Sequence, residues 1–216
     1  DASGGSTLVC TTVTEGCVNS GNNTNWNFGH TVVGKAYSDA GTTSMGAGKT
    51  VSLSLNGGAI TDSGPTDAGG QFTLSGATMT GGTIVTLFLD GETQDAVTVT
   101  LGSGSSMTGI SLYQDHLIVR SDSGSVAMTN AILATADNSG DADIASIYTV
   151  DSSVLNVKAG KNLFVTSSDT FTPGNNVNAG SGVTIQGTYS AGSTTLTLSG
   201  NFLKTSAATF TAGTST

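Results

Sequence analysis

Apolar residues in this 216-residue chain recur at alternate positions in short runs, each broken by Gly, Asn, Asp or Ser. Val51-Ser52-Leu53-Ser54-Leu55 alternates strictly before the turn Asn56-Gly57-Gly58, and Gln71-Phe72-Thr73-Leu74 follows the turn Asp67-Ala68-Gly69-Gly70. A period of two predicts strands with one buried face. The same texture runs through residues 7–14, 31–37, 83–89 and 96–101, then through 110–113, 116–120, 151–157 and 162–165. Helical spacing is nearly absent, and residues 131–137 are the one stretch that reads as a short helix. The chain is expected to be all-β.

The spacing divides it into three parts. Residues 1–30 form an N-terminal strand segment with a polar loop over 19–25 and the single tryptophan, Trp26, read as a packing residue. Residues 31–102 hold five or six short strands at β-sandwich spacing. Residues 103–216 form a second β-rich domain whose end is repetitive. Thr170-Phe171-Thr172-Pro173-Gly174, Thr188-Tyr189-Ser190-Ala191-Gly192 and Thr209-Phe210-Thr211-Ala212-Gly213 share one pattern. A period of about 20 residues built from strand and turn predicts coils of a β-solenoid. A coil cannot bury its own face, so its neighbours must supply the core. Two coils fall short of the three or so that such arrays need, which predicts that the array continues elsewhere or is capped. Residues 209–216 read as the start of a further repeat.

Composition narrows the function. Six Lys+Arg against fifteen Asp+Glu give a net charge of −9, and only 10% of residues are charged. Nucleic acids and anionic membranes require basic stripes, so neither partner is expected. No apolar run of about 18 residues is present, so membrane insertion is not expected either. Two His and two Cys leave little stock for a zinc site or a nucleophile–base pair. There is no initiator Met and no signal peptide, so the chain reads as mature, processed or part of something longer. In a Ser/Thr/Gly-rich acidic chain, Cys10 and Cys17 are expected to form a disulfide that staples a hairpin. Such a staple contributes about 2–3 kcal/mol.

Two stretches carry a family resemblance. Gly34-Lys35-Ala36-Tyr37-Ser38-Asp39-Ala40-Gly41, Gly46-Ala47-Gly48-Lys49-Thr50-Val51 and Thr66-Asp67-Ala68-Gly69-Gly70-Gln71-Phe72-Thr73-Leu74 resemble the carboxypeptidase-regulatory-like, CnaB-like Ig modules of bacterial surface proteins. The resemblance covers roughly residues 31–102 and implies a non-catalytic stalk or spacer sandwich. Some such modules carry a Lys–Asn isopeptide bond. Lys35 stands where that lysine would be, but the last strand, residues 96–101, has no Asn to accept it. From Thr170 onward the chain resembles the Thr/Gly-rich repeat tracts of very large bacterial surface proteins and adhesins.

Few groups suggest chemistry. In Asp137-Asn138-Ser139-Gly140-Asp141-Ala142-Asp143, the alternate oxygens of Asp137, Ser139, Asp141 and Asp143 are candidate Ca²⁺ ligands, with a solvated turn as the competing reading. His116 beside Asp115 lacks a nucleophile elbow. Asp90, Glu92 and Asp95 flank a turn at Gly91 and read as solvated carboxylates rather than a glycosidase pair. Asn22-Asn23-Thr24 fits the N-glycosylation pattern.

The expectation is therefore an extracellular, cell-surface structural protein without enzymatic activity. It would join copies of itself, or neighbouring modules of the same protein, in a fibre, sheath or stalk. Thr7, Leu8, Val9 and Phe210 are the candidate strands for completing a neighbour's sheet. The alternative is an adhesin or glycan-binding module, which predicts exposed aromatic rings around Tyr113, Tyr148, Phe171 or Tyr189.

Overall fold

The computed structural model describes Leu8–Val9, Trp26–Asn27 and residues 29–213. Cys10 and Cys17, Thr7 and the Asn22-Asn23-Thr24 triplet lie outside the described residues. Strand β1 (Leu8–Val9) pairs in parallel with β2 (Trp26–Asn27) in a sheet of their own.

The next seven strands are β3 (His30–Tyr37), β4 (Thr50–Leu55), β5 (Ile60–Pro65), β6 (Gln71–Ala77), β7 (Gly81–Leu89), β8 (Val97–Ser103) and β9 (Met107–Tyr113). One sheet has the order β6-β3-β9, with β3 antiparallel to β6 and parallel to β9. A second runs β5-β4-β7-β8, all antiparallel. Alternation carries Val32 and Ala36 of β3, Phe72 and Leu74 of β6, and Ile110 and Leu112 of β9 into one core, together with Val51, Leu53, Val85, Leu87 and Leu89. Gly34 continues the inward row of β3, where a Cβ would run into the Phe72 ring and the Ile110 carbonyl. The Phe72 ring thus takes the space a side chain at 34 would need. Strand β9 extends this sheet beyond residue 102.

The second half begins with β10 (His116–Val119), which pairs in parallel with β8. Helices α1 (Asn130–Asp137) and α2 (Ala142–Ile147) follow. The first matches the expected helix, and the Thr129 hydroxyl caps it by accepting from the Ile132 amide at 3.3 Å. The second falls in the stretch read as an acidic turn. Asp141 is its N-cap, and Ile144 and Ile147 supply a buried face at i, i+3 spacing. Tyr148, buried in β11 (Tyr148–Asp151), donates to the Leu133 carbonyl of α1 at 3.1 Å.

Nine short strands then cycle through three sheets. Strands β12 (Val154–Val157), β15 (Val177–Ala179) and β18 (Leu196–Leu198) stack in parallel. So do β13 (Asn162–Val165), β16 (Val183–Ile185) and β19 (Phe202–Lys204). The third column is β14 (Thr170–Phe171), β17 (Thr188–Ser190) and β20 (Thr209–Thr211). The chain visits the three sheets in the same order three times. Leu163, Val165, Phe171, Val177, Val183, Ile185 and Tyr189 point into a common core closed by Leu133, Ile144 and Ile147 of the helices.

One sheet joins the halves. It has eight strands in the order β5-β4-β7-β8-β10-β13-β16-β19, and its pairing changes from antiparallel to parallel between β8 and β10. Register rows cross the junction unbroken: Val99, Val119, Val165 and Ile185 stand side by side on the core face. The fold is all-β with two short helices among the described residues. No helix among these residues is long and apolar enough to cross a membrane.

Candidate functional site

The acidic turn serves the backbone. Asp137 Oδ2 accepts from the Val150 amide at 3.1 Å, Asp141 Oδ1 from the Asp143 amide at 2.9 Å, and Asp143 Oδ2 from the Gly91 amide at 2.8 Å. Ser139 Oγ accepts from the Asp141 amide at 3.4 Å. The four expected ligands thus turn toward separate amides and clasp α1 and α2 onto the β7–β8 turn and β11. Burial raises the pKa of Asp137, with the Val150 amide partly opposing it. Among the described residues, no group of three or more His, Cys, Asp or Glu side chains is placed to hold a metal ion.

The other candidate acids and bases are also dispersed. Asp90 accepts from Ser52 Oγ at 2.6 Å. Glu92 accepts from the Thr50 amide at 2.9 Å and pairs with Lys49 at 3.1 Å; that amide first, then Lys49, holds its pKa below the ordinary value. Asp95 and Asp115 share Lys161, whose Nζ lies 2.6 and 2.5 Å from them. Burial works against the Lys161 charge, but the two carboxylates outweigh it and its pKa rises. This lysine ties the turn before β13 to the turns before β8 and β10. Asp115 is therefore occupied, and His116 instead sets Nδ1 2.6 Å from the Gln114 carbonyl. Burial lowers the His116 pKa, against the opposing pull of the Gln114 carbonyl and Asp115.

A groove of about 420 Å³ lies on the outer face of β10 and β13, beside β9. Its walls include Tyr113, Arg120, Asp122, Phe164, Asp169 and Gln186. Arg120 is already committed. It grips Asp122 through two contacts of 2.5 and 2.9 Å and donates to the Thr108 and Gly109 carbonyls at 3.0 and 2.7 Å. The aromatic residues are committed as well. Tyr113 packs edge-to-face with Tyr37, Phe164 and His116 at centroid distances of 5.6, 5.2 and 5.9 Å. Asp169 accepts from Thr166 Oγ1, and burial raises its pKa. Tyr148, Phe171 and Tyr189, the other rings expected on the surface, are fully buried.

Two exposed large apolar residues lie side by side elsewhere, while Ile60 and Val126 are exposed singly. Phe202 and Leu203 of β19 are 41% and 56% exposed. Around them stand Leu196 and Leu198 of β18 and Phe210 of β20, each half-buried. A column of rings ends here, Phe171 to Tyr189 to Phe210, with centroids 5.5 Å apart at both steps and Phe202 edge-on to Phe210 at 5.1 Å. Among the described residues, each of the three strands pairs on one side only. Lys204 stands in the core-facing row after Ile185, and its Nζ donates to the Ala208 carbonyl at 2.8 Å. The opposite end is covered: β12 pairs with β11, β13 with β10, and Phe171 is bridged by Met128. The repeat singles out Phe210 but not Phe202 or Leu203, whose importance shows only once the strands are aligned in three columns. No family model, curated protein or solved structure matches this chain.

Proposed function

We propose that this chain is an extracellular structural module of a bacterial surface fibre, sheath or stalk. In this reading residues 30–113 form an Ig-like β-sandwich, and the nine strands from β12 to β20 form three coils of a β-solenoid grafted onto it. The observation that carries the proposal is the eight-stranded sheet shared by both halves, whose register rows run from the antiparallel strands into the last coil. A ladder of this kind passes load through backbone hydrogen bonds and buried rows rather than through a linker. The candidate acids and bases each serve a structural partner, so the proposal assigns no catalysis. Joining by strand complementation belongs to the same reading, with Leu8 and Val9 of β1 and Phe210 of β20 as candidate edges. The adhesin reading has less support, because Tyr113 is enclosed by other rings and Tyr148, Phe171 and Tyr189 are in the core.

The test is location. Antibodies to the chain should decorate fibres or extracellular matrix in immunoelectron micrographs of the source cells. Label confined to the cytoplasm would overturn the proposal. A glycan array with selective hits would favour the adhesin.

A further inference from the structure

The three faces of the coil stack use their outward side chains differently. On β12, β15 and β18 the outward row is Asn156, Asn178 and Thr197, and it is knitted together: Asn178 donates to Asn156 at 2.8 Å, and Asn156 to Asp151 at 3.1 Å. On β13, β16 and β19 the row is Phe164, Thr184 and Leu203, mostly apolar. On β14, β17 and β20 every outward position carries a hydroxyl. Thr170, Thr188 and Thr209 form one row, and Ser190 and Thr211 belong to a second. Thr172 heads that second row: its amide donates to the Met128 carbonyl at 2.8 Å, which extends β14 by one residue. Thr209 and Thr211 are exposed, and the other four are half-buried. None of the six hydroxyls has a hydrogen-bond partner among the described residues.

We propose that this face binds the surface of ice, with the two rows of hydroxyls on β14, β17 and β20 holding the outermost layer of ordered water. The proposal goes beyond the structural-module reading. Register sets the pattern. Neighbouring strands lie about 4.7–4.9 Å apart, and alternate residues of one strand about 6.6 Å apart. The oxygens on crystal faces of ice repeat over similar distances in two directions. Threonine is stiff at χ1, so methyl and hydroxyl are presented in the same way along a row. The methyl restricts the water beside it, and the hydroxyl anchors that water. The face is also rigid from behind. Phe171, Tyr189 and Phe210 stack on the inward side of the same strands, with centroids 5.5 Å apart at both steps, so little order has to be gained on binding. Other occupants fit less well. Lys204 is the only charged side chain after Asp169, and its Nζ is turned to the Ala208 carbonyl at 2.8 Å, so an ionic lattice finds no counter-charge on the rows. A crystalline polysaccharide offers apolar ring faces that call for exposed aromatic side chains, and the rings of these strands face the core. The exposed large apolar residues that a protein partner would cover, Ile60, Val126, Phe202 and Leu203, lie outside both rows. Ser190 is the one gap in the pattern, a hydroxyl without the methyl.

The test uses the full chain and ice grown slowly from its solution. The unmodified chain should be enriched in the ice fraction and should inhibit ice recrystallisation. Thr188→Lys sets a charge in the middle strand of the face and should weaken partition into ice about ten-fold, the equivalent of about 1.4 kcal/mol. Thr197→Lys puts the same charge on the neighbouring outward face and should leave partition unchanged. Ser190→Thr supplies the missing methyl and should strengthen it. Circular dichroism just above freezing should show all three variants folded. If Thr188→Lys does not fold, Thr209→Lys on the exposed strand takes its place. Exclusion of the unmodified chain from ice overturns the proposal. So does an equal effect of Thr188→Lys and Thr197→Lys, weaker partition of Ser190→Thr, or binding to crystalline cellulose in place of ice. Each of these failures leaves the extracellular assignment standing, because location is read independently in the micrographs.

Discussion

At the scale of the residue, His116 is the side chain whose environment makes a measurable claim. It is half-buried between Tyr113 and Phe164, with Nδ1 against the Gln114 carbonyl. Burial lowers its folded pKa below the ordinary 6.5. The unfolded chain then binds a proton that the folded chain resists, so stability rises with pH across that interval. This contribution is fully present above pH 6.5 and is lost as pH falls through the lowered folded value. Asp137 and Asp169, whose values are raised, act with the opposite sign further down, toward 3.8. Urea midpoints should therefore fall on acidification just below pH 6.5, and His116→Gln should flatten that segment. An unchanged slope in the variant would place the proton elsewhere. The sequence marks His116 as a strand residue beside an acid. It does not reveal that Asp115 is taken by Lys161, because that pairing depends on a turn far along the chain.

At the scale of the element, stacked coils leave no room at their corners. Gly187 precedes β17, and a Cβ there would enter the space of the Thr166 and Asp169 carbonyls in the coil below. Gly174 has φ of 76° but open space around it. Gly174→Ala should cost about 1 kcal/mol of left-handed backbone strain. Gly187→Ala should cost more, about 2–4 kcal/mol, because two coils must part. Denaturant midpoints of the two variants test this, and equal losses would mean that the coils are less tightly stacked. Both glycines read simply as turn signals in the sequence, where close approach and positive φ look alike. The strands with strict alternation, such as β4 and β6, are legible for the opposite reason, since their pattern is local. Strand β5 is not legible: Ile60–Pro65 is a largely exposed edge with Pro at its end, so no buried row marks it. Helix α2 is masked by the acids that cap it. Only the column through β14, β17 and β20 stands out, because a Thr followed by an aromatic ring recurs in each of its strands; the columns through β15 and β16 carry changing aliphatic and polar residues with no shared motif.

At the scale of the whole molecule, a fibre needs two separate contacts on each copy, and the edge strands β5 and β6 and the β1–β2 segment are candidates for them. Load passing between such contacts must cross the junction of the two halves. That junction is held by the β8–β10 pairing and by Lys161, which bridges Asp95 and Asp115 from the turn before β13. Removing the ammonium leaves two neighbouring carboxylates without their shared cation. Lys161→Met should lower stability by about 1 kcal/mol, a modest figure because the groups are partly solvated. The sharper expectation concerns cooperativity. With one sheet common to both cores, the unmodified chain should melt in a single calorimetric transition, with calorimetric and van't Hoff enthalpies equal. Lys161→Met should shift that transition without splitting it, because the backbone ladder remains. Two resolved transitions in the unmodified chain would show that the halves unfold separately, and that the shared sheet does not transmit load from one core to the other.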